Sequence, residues 1–311
     1  MPELAVVFPG QGSQQVGMGK DLHDSNRAVR AVFEEADSLL GFSISKLCFE
    51  GPEQVLNDTV NTQPAIFTTC VALWKAVEEQ LSERVRVLAG HSLGEYAALV
   101  ASGALDLADG LRLVRERGRL MKEAGINSQG GMAAIIGLDP LAVDEICKQA
   151  AGETGGEVQV ANYNSPGQLV ISGDEVGLAN ALERARTAGA RRVVRLAVSI
   201  AAHSPLMAPA QVAFGPMVAA TQFGAPKIPV IGNTVARPLA GPGDIVSELV
   251  AQLTAPVRWT ESVLWMIEQG IDTLIEIGPG QVLTGLQKRI DRSVARVNVH
   301  DATSVKALAG V

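Results

Sequence analysis

Residues 85–105 read VRVLAGHSLGEYAALVASGAL, and the fold turns on how this stretch divides. The apolar run at 85–89 reads as a buried strand and 94–102 reads as a helix, with Gly90-His91-Ser92-Leu93-Gly94 between them. Gly-x-Ser-x-Gly joining a strand to a helix is a nucleophile-elbow pattern. The glycines permit a sharp turn, the serine Oγ is exposed at its apex, and the N–H of the next residue, Leu93, points toward a developing oxyanion. The plainer alternative is a tight strand–helix turn with no chemistry. A serine set this way becomes acylated, and the stretch leaves open whether water or another thiol or alcohol removes the acyl group.

Outward from the elbow, the chain alternates apolar runs with helical patterns, and its 32 glycines are spread throughout, as an α/β fold requires. Residues 4–8 (LAVVF) read as a buried first strand, followed by a Gly-rich loop, PGQGSQQVGMG. Helices are expected at 26–40, at 62–81 with Thr62 as cap and Pro64 in the first turn, and at 109–124. Residues 130–198 then follow the order strand, helix, strand, strand, helix, strand, which is the ferredoxin-like order. The expected architecture is an α/β-hydrolase-like large domain with a parallel sheet, residues 1–128 and 199–311, interrupted by a ferredoxin-like subdomain at 129–198. After the insert, a helix at 204–222, a strand at 228–232, helices near 244–253 and 258–269 and a strand at 273–277 are expected. A closing helix and a last apolar run at 295–299 end the chain.

With 311 residues, 47% hydrophobic and 19% charged, the chain can bury a large core. A net charge of -7 and an aromatic content of 4% argue against general nucleic-acid binding. The N-terminus lacks a basic region before its apolar run, and no segment reaches the roughly 18 apolar residues of a membrane span. Cys48, Cys70 and Cys147 are far apart and lack metal-site spacing, so they read as buried thiols. Together these features imply a soluble, cytoplasmic protein, by default a monomer. One region opposes the acidic balance: residues 184–195 carry Arg184, Arg186, Arg191, Arg192 and Arg195 with no acid among them. They read either as a solvated face or as a docking patch for an acidic partner.

A serine nucleophile needs a base, and there are four histidines. His23 and His300 lie in polar stretches and read as surface residues. His91 is adjacent to Ser92 and points elsewhere, so a packing or hydrogen-bonding role suits it. His203 follows an expected strand and precedes a helix, the place where α/β folds carry catalytic groups, although a backbone-satisfied histidine at a helix start would look the same. No acid stands out to orient it: Asp174, Asp244 and Asp272 are each explained as caps or turn residues. A backbone carbonyl serves equally, since the partner needs only to accept from Nδ1–H. The Gly-rich loop fails the phosphate-loop pattern because Lys20 is followed by Asp21. It suits an oxyanion loop, with the N–H near Gln11 joining that of Leu93.

Several stretches taken together resemble one family: FPGQGSQ (8–14), NTQPAI (61–66), GHSLGEYAAL (90–99), ERG (116–118), GGMAAIIG (130–137), ANYNSPGQLVISG (161–173), VSIAAHSPLM (198–207) and EIGPGQVLTGL (276–286). The chain resembles the malonyl-CoA:acyl carrier protein transacylases of bacterial fatty acid synthesis and the related acyltransferase domains of polyketide synthases. The resemblance covers nearly the whole chain. It implies malonyl transfer from malonyl-CoA to the phosphopantetheine thiol of acyl carrier protein through a malonyl-Ser92 ester, with no metal or redox cofactor. It further implies His203 as base, held by the backbone carbonyl of Gln252; Gln11 and Leu93 as oxyanion donors; and Arg117 on the substrate carboxylate. Gln63, Asn162 and His91 fall at positions lining the site. From the residues alone Arg117 reads as one of four solvated helix arginines, and only the resemblance singles it out. Ala202, small where polyketide relatives selective for malonyl carry an aromatic, implies weak exclusion of methylmalonyl. The alternatives are a trans-acting polyketide acyltransferase, a serine thioesterase or hydrolase using the same elbow, and a non-catalytic docking module.

Overall fold

The computed structural model describes residues 3–198 and 200–308; the expected domain boundary at 199 and the outermost residues assigned to the large domain (1, 2 and 309–311) lie outside the described residues. Nine strands run through the described residues: β1 (Leu4–Phe8), β2 (Val85–Gly90), β3 (Gly130–Ile136), β4 (Val158–Ser165), β5 (Gln168–Asp174), β6 (Arg192–Arg195), β7 (Val230–Ile231), β8 (Thr273–Ile277) and β9 (Ala295–Val299). They form two sheets.

The first sheet is wholly parallel, in the order β7-β2-β1-β8-β9. All five residues of β1 are buried. Leu4, Val6 and Phe8 enter a large core with helix Thr59–Leu81, while Ala5 and Val7 enter a second core with Trp259, Val263, Leu283 and Leu286. A parallel strand covered on both faces must be apolar at every position rather than at alternate ones, which accounts for LAVVF. The strand order reverses around β1, with β2 and β7 on one side and β8 and β9 on the other. A crevice therefore opens at the carboxyl ends of β1 and β2.

The second sheet is antiparallel, in the order β4-β5-β3-β6. With helices Pro140–Thr154 and Glu175–Thr187 it completes the β-α-β-β-α-β order, and the mixed α/β architecture of a large parallel-sheet unit and a small antiparallel one follows. Alternation along β3 gives the sheet two apolar faces: Ala133 and Ile135 pack under the two helices, whereas Met132 joins Val170 on the opposite face. That second face covers the crevice. The sheet is tied to the large unit where β4 meets Val257, through Tyr163 N–H to Val257 O at 2.9 Å and Val257 N–H to Ala161 O at 2.8 Å.

Several expected elements shift for local reasons. Helix Thr59–Leu81 starts three residues before the expected position and is capped by Asp58, whose side chain accepts from Val60 N–H; Thr62 is inside the helix and donates to Leu56 O at 2.5 Å. Pro64 is therefore internal and cannot donate to the carbonyl of Val60, four residues back; Arg115 Nη1 donates to that carbonyl at 2.7 Å instead. The expected helix at 204–222 divides into a 3-10 turn, Pro205–Met207, and helix Ala208–Ala220. The strand expected at 228–232 shrinks to the two residues of β7. Short helices at Lys20–Ser25, Ile44–Glu50, Glu53–Leu56 and Ala302–Ala307 were not anticipated, since 4 to 7 residues are too few to display a 3.6-residue period.

Candidate active site

Ser92 sits at the apex of the elbow with φ 51°, a left-handed conformation rare for a residue with a side chain. The flanking glycines make this possible by close approach. A Cβ on Gly90 would lie 1.9 Å from the Gly94 carbonyl carbon, and one on Gly94 would lie 2.0 Å from the Phe8 carbonyl oxygen. The apex is pinned by His91 N–H to Phe8 O at 3.0 Å and by Ser92 N–H to Asn233 Oδ1 at 2.6 Å.

His203, also at positive φ (58°), places Nε2 2.8 Å from Ser92 Oγ. Its Nδ1 is 2.7 Å from the carbonyl oxygen of Gln252. A carbonyl can only accept, so Nδ1 carries the hydrogen and Nε2 presents its lone pair to the serine hydroxyl. Gln159 Nε2 donates to the His203 carbonyl at 2.7 Å and His203 N–H donates to Leu253 O at 3.1 Å, holding the backbone on both sides. Burial, and then the Arg117 guanidinium beside it, push the imidazole down to about 3. His203 is thus neutral at physiological pH, the state a general base requires.

Arg117 is 1% exposed although it lies on a helix, Leu107–Asn127, whose other arginines, Arg112, Arg115 and Arg119, engage Asp109, Asn61 and Glu116. Its guanidinium donates to Gln63 Oε1 at 3.0 Å, Gln252 Oε1 at 2.9 Å and Ser92 Oγ at 3.1 Å, and no carboxylate lies within ion-pair distance of it among the described residues. A buried cation with only neutral partners is costly, and an anionic group bound beside Ser92 would remove that cost.

These groups open onto a cavity of about 250 Å³. Gln11, His91, Ser92, Arg117, Asn162, Asn164, Gln168 and His203 supply its polar surface. Met121, Met132, Val170, Leu196, Val198, Ile200, Ala202 and Leu286 supply the apolar surface, much of it from the small unit. His91 Nε2 pairs with Asn164 Oδ1 at 2.8 Å and stacks toward Trp259. Gln63 is fully buried and does not line the cavity; it stands behind Arg117 and fixes it. Leu93 is likewise buried, 1% exposed, so only its backbone faces the elbow. Neither the Gln11 nor the Leu93 backbone N–H has an acceptor among the described residues, whereas that of Ser92 is committed to Asn233. His23, packed against Phe33 and Phe49, and His300, beside Asp301, lie outside the cavity.

The arginine-rich segment is less free than its sequence implies. Arg184 pairs with Glu153, Arg186 with Glu183 at 3.3 Å and Arg195 with Glu175, so acids on helices Pro140–Thr154 and Glu175–Thr187 neutralise three of the cations. Arg191 and Arg192 are exposed and make no ion pair among the described residues. Sequence reasoning missed Asn233, Glu95, Asn164 and Gln168. The available signals were a lone acid in the apolar helix GEYAALVA and a polar residue one glycine beyond the short strand β7.

Residues 5–309 match the family described as acyl transferase domain. The malonyl CoA-acyl carrier protein transacylase of Escherichia coli K12 is 42% identical over 307 residues, 99% of either chain. A solved acyl carrier protein S-malonyltransferase from Vibrio cholerae superposes with a TM-score of 0.95 at 44% identity, covering 98% of this chain and 99% of that one. A solved complex of a type II PKS acyl-carrier protein with its malonyl-transacylase matches with a TM-score of 0.95 at 43% identity, covering 99% of this chain and 100% of that one.

Proposed function

The chain belongs to the acyl transferase family, among its malonyl-CoA:acyl carrier protein transacylases, and from that premise we propose how its site performs the transfer. The reaction moves a malonyl group from malonyl-CoA to the phosphopantetheine thiol of acyl carrier protein. Ser92 Oγ loses its proton to His203 Nε2 and attacks the thioester carbonyl. The oxyanion is received by the amides of Gln11 and Leu93, and CoA leaves as a thiol protonated by His203. The carrier's thiol then gives its proton to His203 and attacks the malonyl-Ser92 ester, returning the serine hydroxyl. Gln252 keeps the imidazole in the required tautomer throughout.

The observation that carries this reading is the buried, unneutralised Arg117 at 3.1 Å from Ser92 Oγ. A guanidinium fork there takes the far carboxylate of a malonyl group bidentately and sets the thioester against the serine. His91 and Asn162 line the acyl and pantetheine path, and Gln63 supports the clamp from behind. Ala202 beside the base leaves room for a methyl branch, so methylmalonyl is excluded only weakly, a difference of about 1–3 kcal/mol at most.

Residues 129–198 act as an inserted subdomain in a body formed by 1–128 and 199–311, and its exposed Arg191 and Arg192 supply the docking cations for an acidic carrier, with Arg184, Arg186 and Arg195 as a partly neutralised flank. Every residue invoked comes from one chain, so a monomer suffices, and cytoplasmic malonyl-CoA is the donor. Intact-mass measurement tests the scheme. Malonyl-CoA alone should produce a stable malonyl adduct that disappears on addition of carrier protein and never forms with Ser92→Ala. Steady CoA release with no trapped adduct would mean hydrolysis instead.

A further inference from the structure

Glu95 is completely buried, one turn below the nucleophile, in a helix whose neighbouring residues Tyr96, Ala97, Ala98 and Leu99 are all buried. It makes no ion pair within 4 Å among the described residues, and a buried carboxyl is costly unless hydrogen-bonded. The donors converge on one oxygen: Asn233 N–H at 3.0 Å, Asn233 Nδ2 at shorter range and Gln252 Nε2 at 3.0 Å all reach Oε2, while Oε1 has no partner.

We propose that Glu95 is a positioning residue that sets which end of the Asn233 and Gln252 amides donates and which accepts, and thereby seats both Ser92 and Arg117. An amide side chain has one donating and one accepting end, nearly identical in shape. Because Glu95 Oε2 accepts, Asn233 must turn Nδ2 toward it and toward Gly90 O at 2.7 Å, leaving Oδ1 to accept the Ser92 N–H at 2.6 Å. By the same rule Gln252 turns Nε2 to Glu95 and to Ser92 O at 3.2 Å, so that Oε1 receives Arg117 Nη2 at 2.9 Å. Flipping either amide would set donor against donor at the elbow or at the clamp. Burial and Glu248 push the Glu95 carboxyl up, against the donors of Asn233 and Gln252 and the charge of Arg117. Oε2 accepts in either charge state when the proton is on Oε1, so the orienting role does not depend on ionisation.

This inference rests on Ser92 and Arg117 acting as proposed above, and acetyl-CoA, which lacks the carboxylate, separates the two readings. Glu95→Met keeps the volume and removes the acceptor. It should lower malonyl kcat/KM about 10- to 100-fold more than acetyl kcat/KM, the range for a hydrogen bond to a charged group, and chiefly through the malonyl KM. Glu95→Gln keeps an acceptor where Oε2 stands and places its NH₂ where Oε1 has no partner. It should retain both activities within a few-fold and preserve their ratio. A role confined to stability would lower Tm and both substrates alike in the Met variant, and a need for charge would make the Gln variant as poor as the Met variant; either result overturns the proposal. Should Glu95→Met fail to fold, Gln252→Met tests the same link, since it keeps the backbone carbonyl for His203 and removes only the amide; an unchanged malonyl-to-acetyl ratio there refutes it. Failure of the wild-type enzyme to form a malonyl adduct in the same assay would count against the reading of the site, not against Glu95.

Discussion

Replacing Arg117 by alanine removes the charged donor that reaches Ser92 Oγ while leaving Ser92, His203 and Gln252 O in place. In the free site its guanidinium meets three neutral acceptors: Gln63 Oε1 at 3.0 Å, Gln252 Oε1 at 2.9 Å and Ser92 Oγ at 3.1 Å. A malonyl carboxylate would add two charge-assisted hydrogen bonds, each worth about 1.5–3 kcal/mol. Losing both costs about 3–6 kcal/mol of transition-state binding, or roughly 10²–10⁴ in malonyl kcat/KM. Acetyl transfer makes no such contact and should be retained or rise, because a buried cation without a counterion is gone. A second effect travels through the base: Arg117 is the largest neighbouring charge holding His203 down, so the imidazole should become more basic in the variant, although burial, the dominant cause, remains. The assay is kcat/KM for malonyl-CoA and acetyl-CoA with carrier protein in excess. Equal losses for both acyl groups, or undiminished malonyl transfer, would refute the assignment of the clamp.

The free-enzyme pH profile gives a further test. With His203 held near 3, against an ordinary value of 6.5, the base stays deprotonated across the neutral range. Acylation kcat/KM should therefore be flat from pH 8 to about pH 5, and an acid limb centred near 6.5 would contradict the buried, cation-flanked environment. The same depression makes a stability prediction. Below the unfolded value the unfolded chain binds a proton that the native site refuses, so the contribution of His203 to stability is full above about pH 6.5 and is lost as pH falls toward 3, measurable as a Tm declining in that window. On the surface, reversing Arg191 and Arg192 to Glu should raise the carrier's KM several-fold and leave adduct formation from malonyl-CoA unchanged, an effect that shrinks with added salt; an unaltered KM would remove these residues from the docking face.

Much of the fold was legible because its signals are local. The doubly buried strand at 4–8, the elbow at 90–94 and the β-α-β-β-α-β order after 130 are written in runs and periods of a few residues, and neighbouring residues enforce them whatever the rest of the chain does. The misplacements have causes that local pattern cannot weigh. Asp58 outcompeted Thr62 as a cap, and Pro64 was accepted inside a helix because Arg115, 55 residues from Val60, supplied the missing donor.

The site divides along the same line. Sequence alone determined that a serine would stand at a strand–helix turn between glycines, since only residues without a Cβ allow the approaches of 1.9 and 2.0 Å that the turn demands. Tertiary structure decided what meets that serine. The base is 111 residues away, the carbonyl that orients it is a further 49, and the buried arginine is distinguished from its helix neighbours only by the burial that folding imposes. Asn233 and Glu95, 138 residues apart, become partners only when β7 pairs with β2 and carries the asparagine under the elbow. Hydrogen-bond donors and acceptors are matched by where the chain's packing brings them, and no local pattern of residue types encodes that matching.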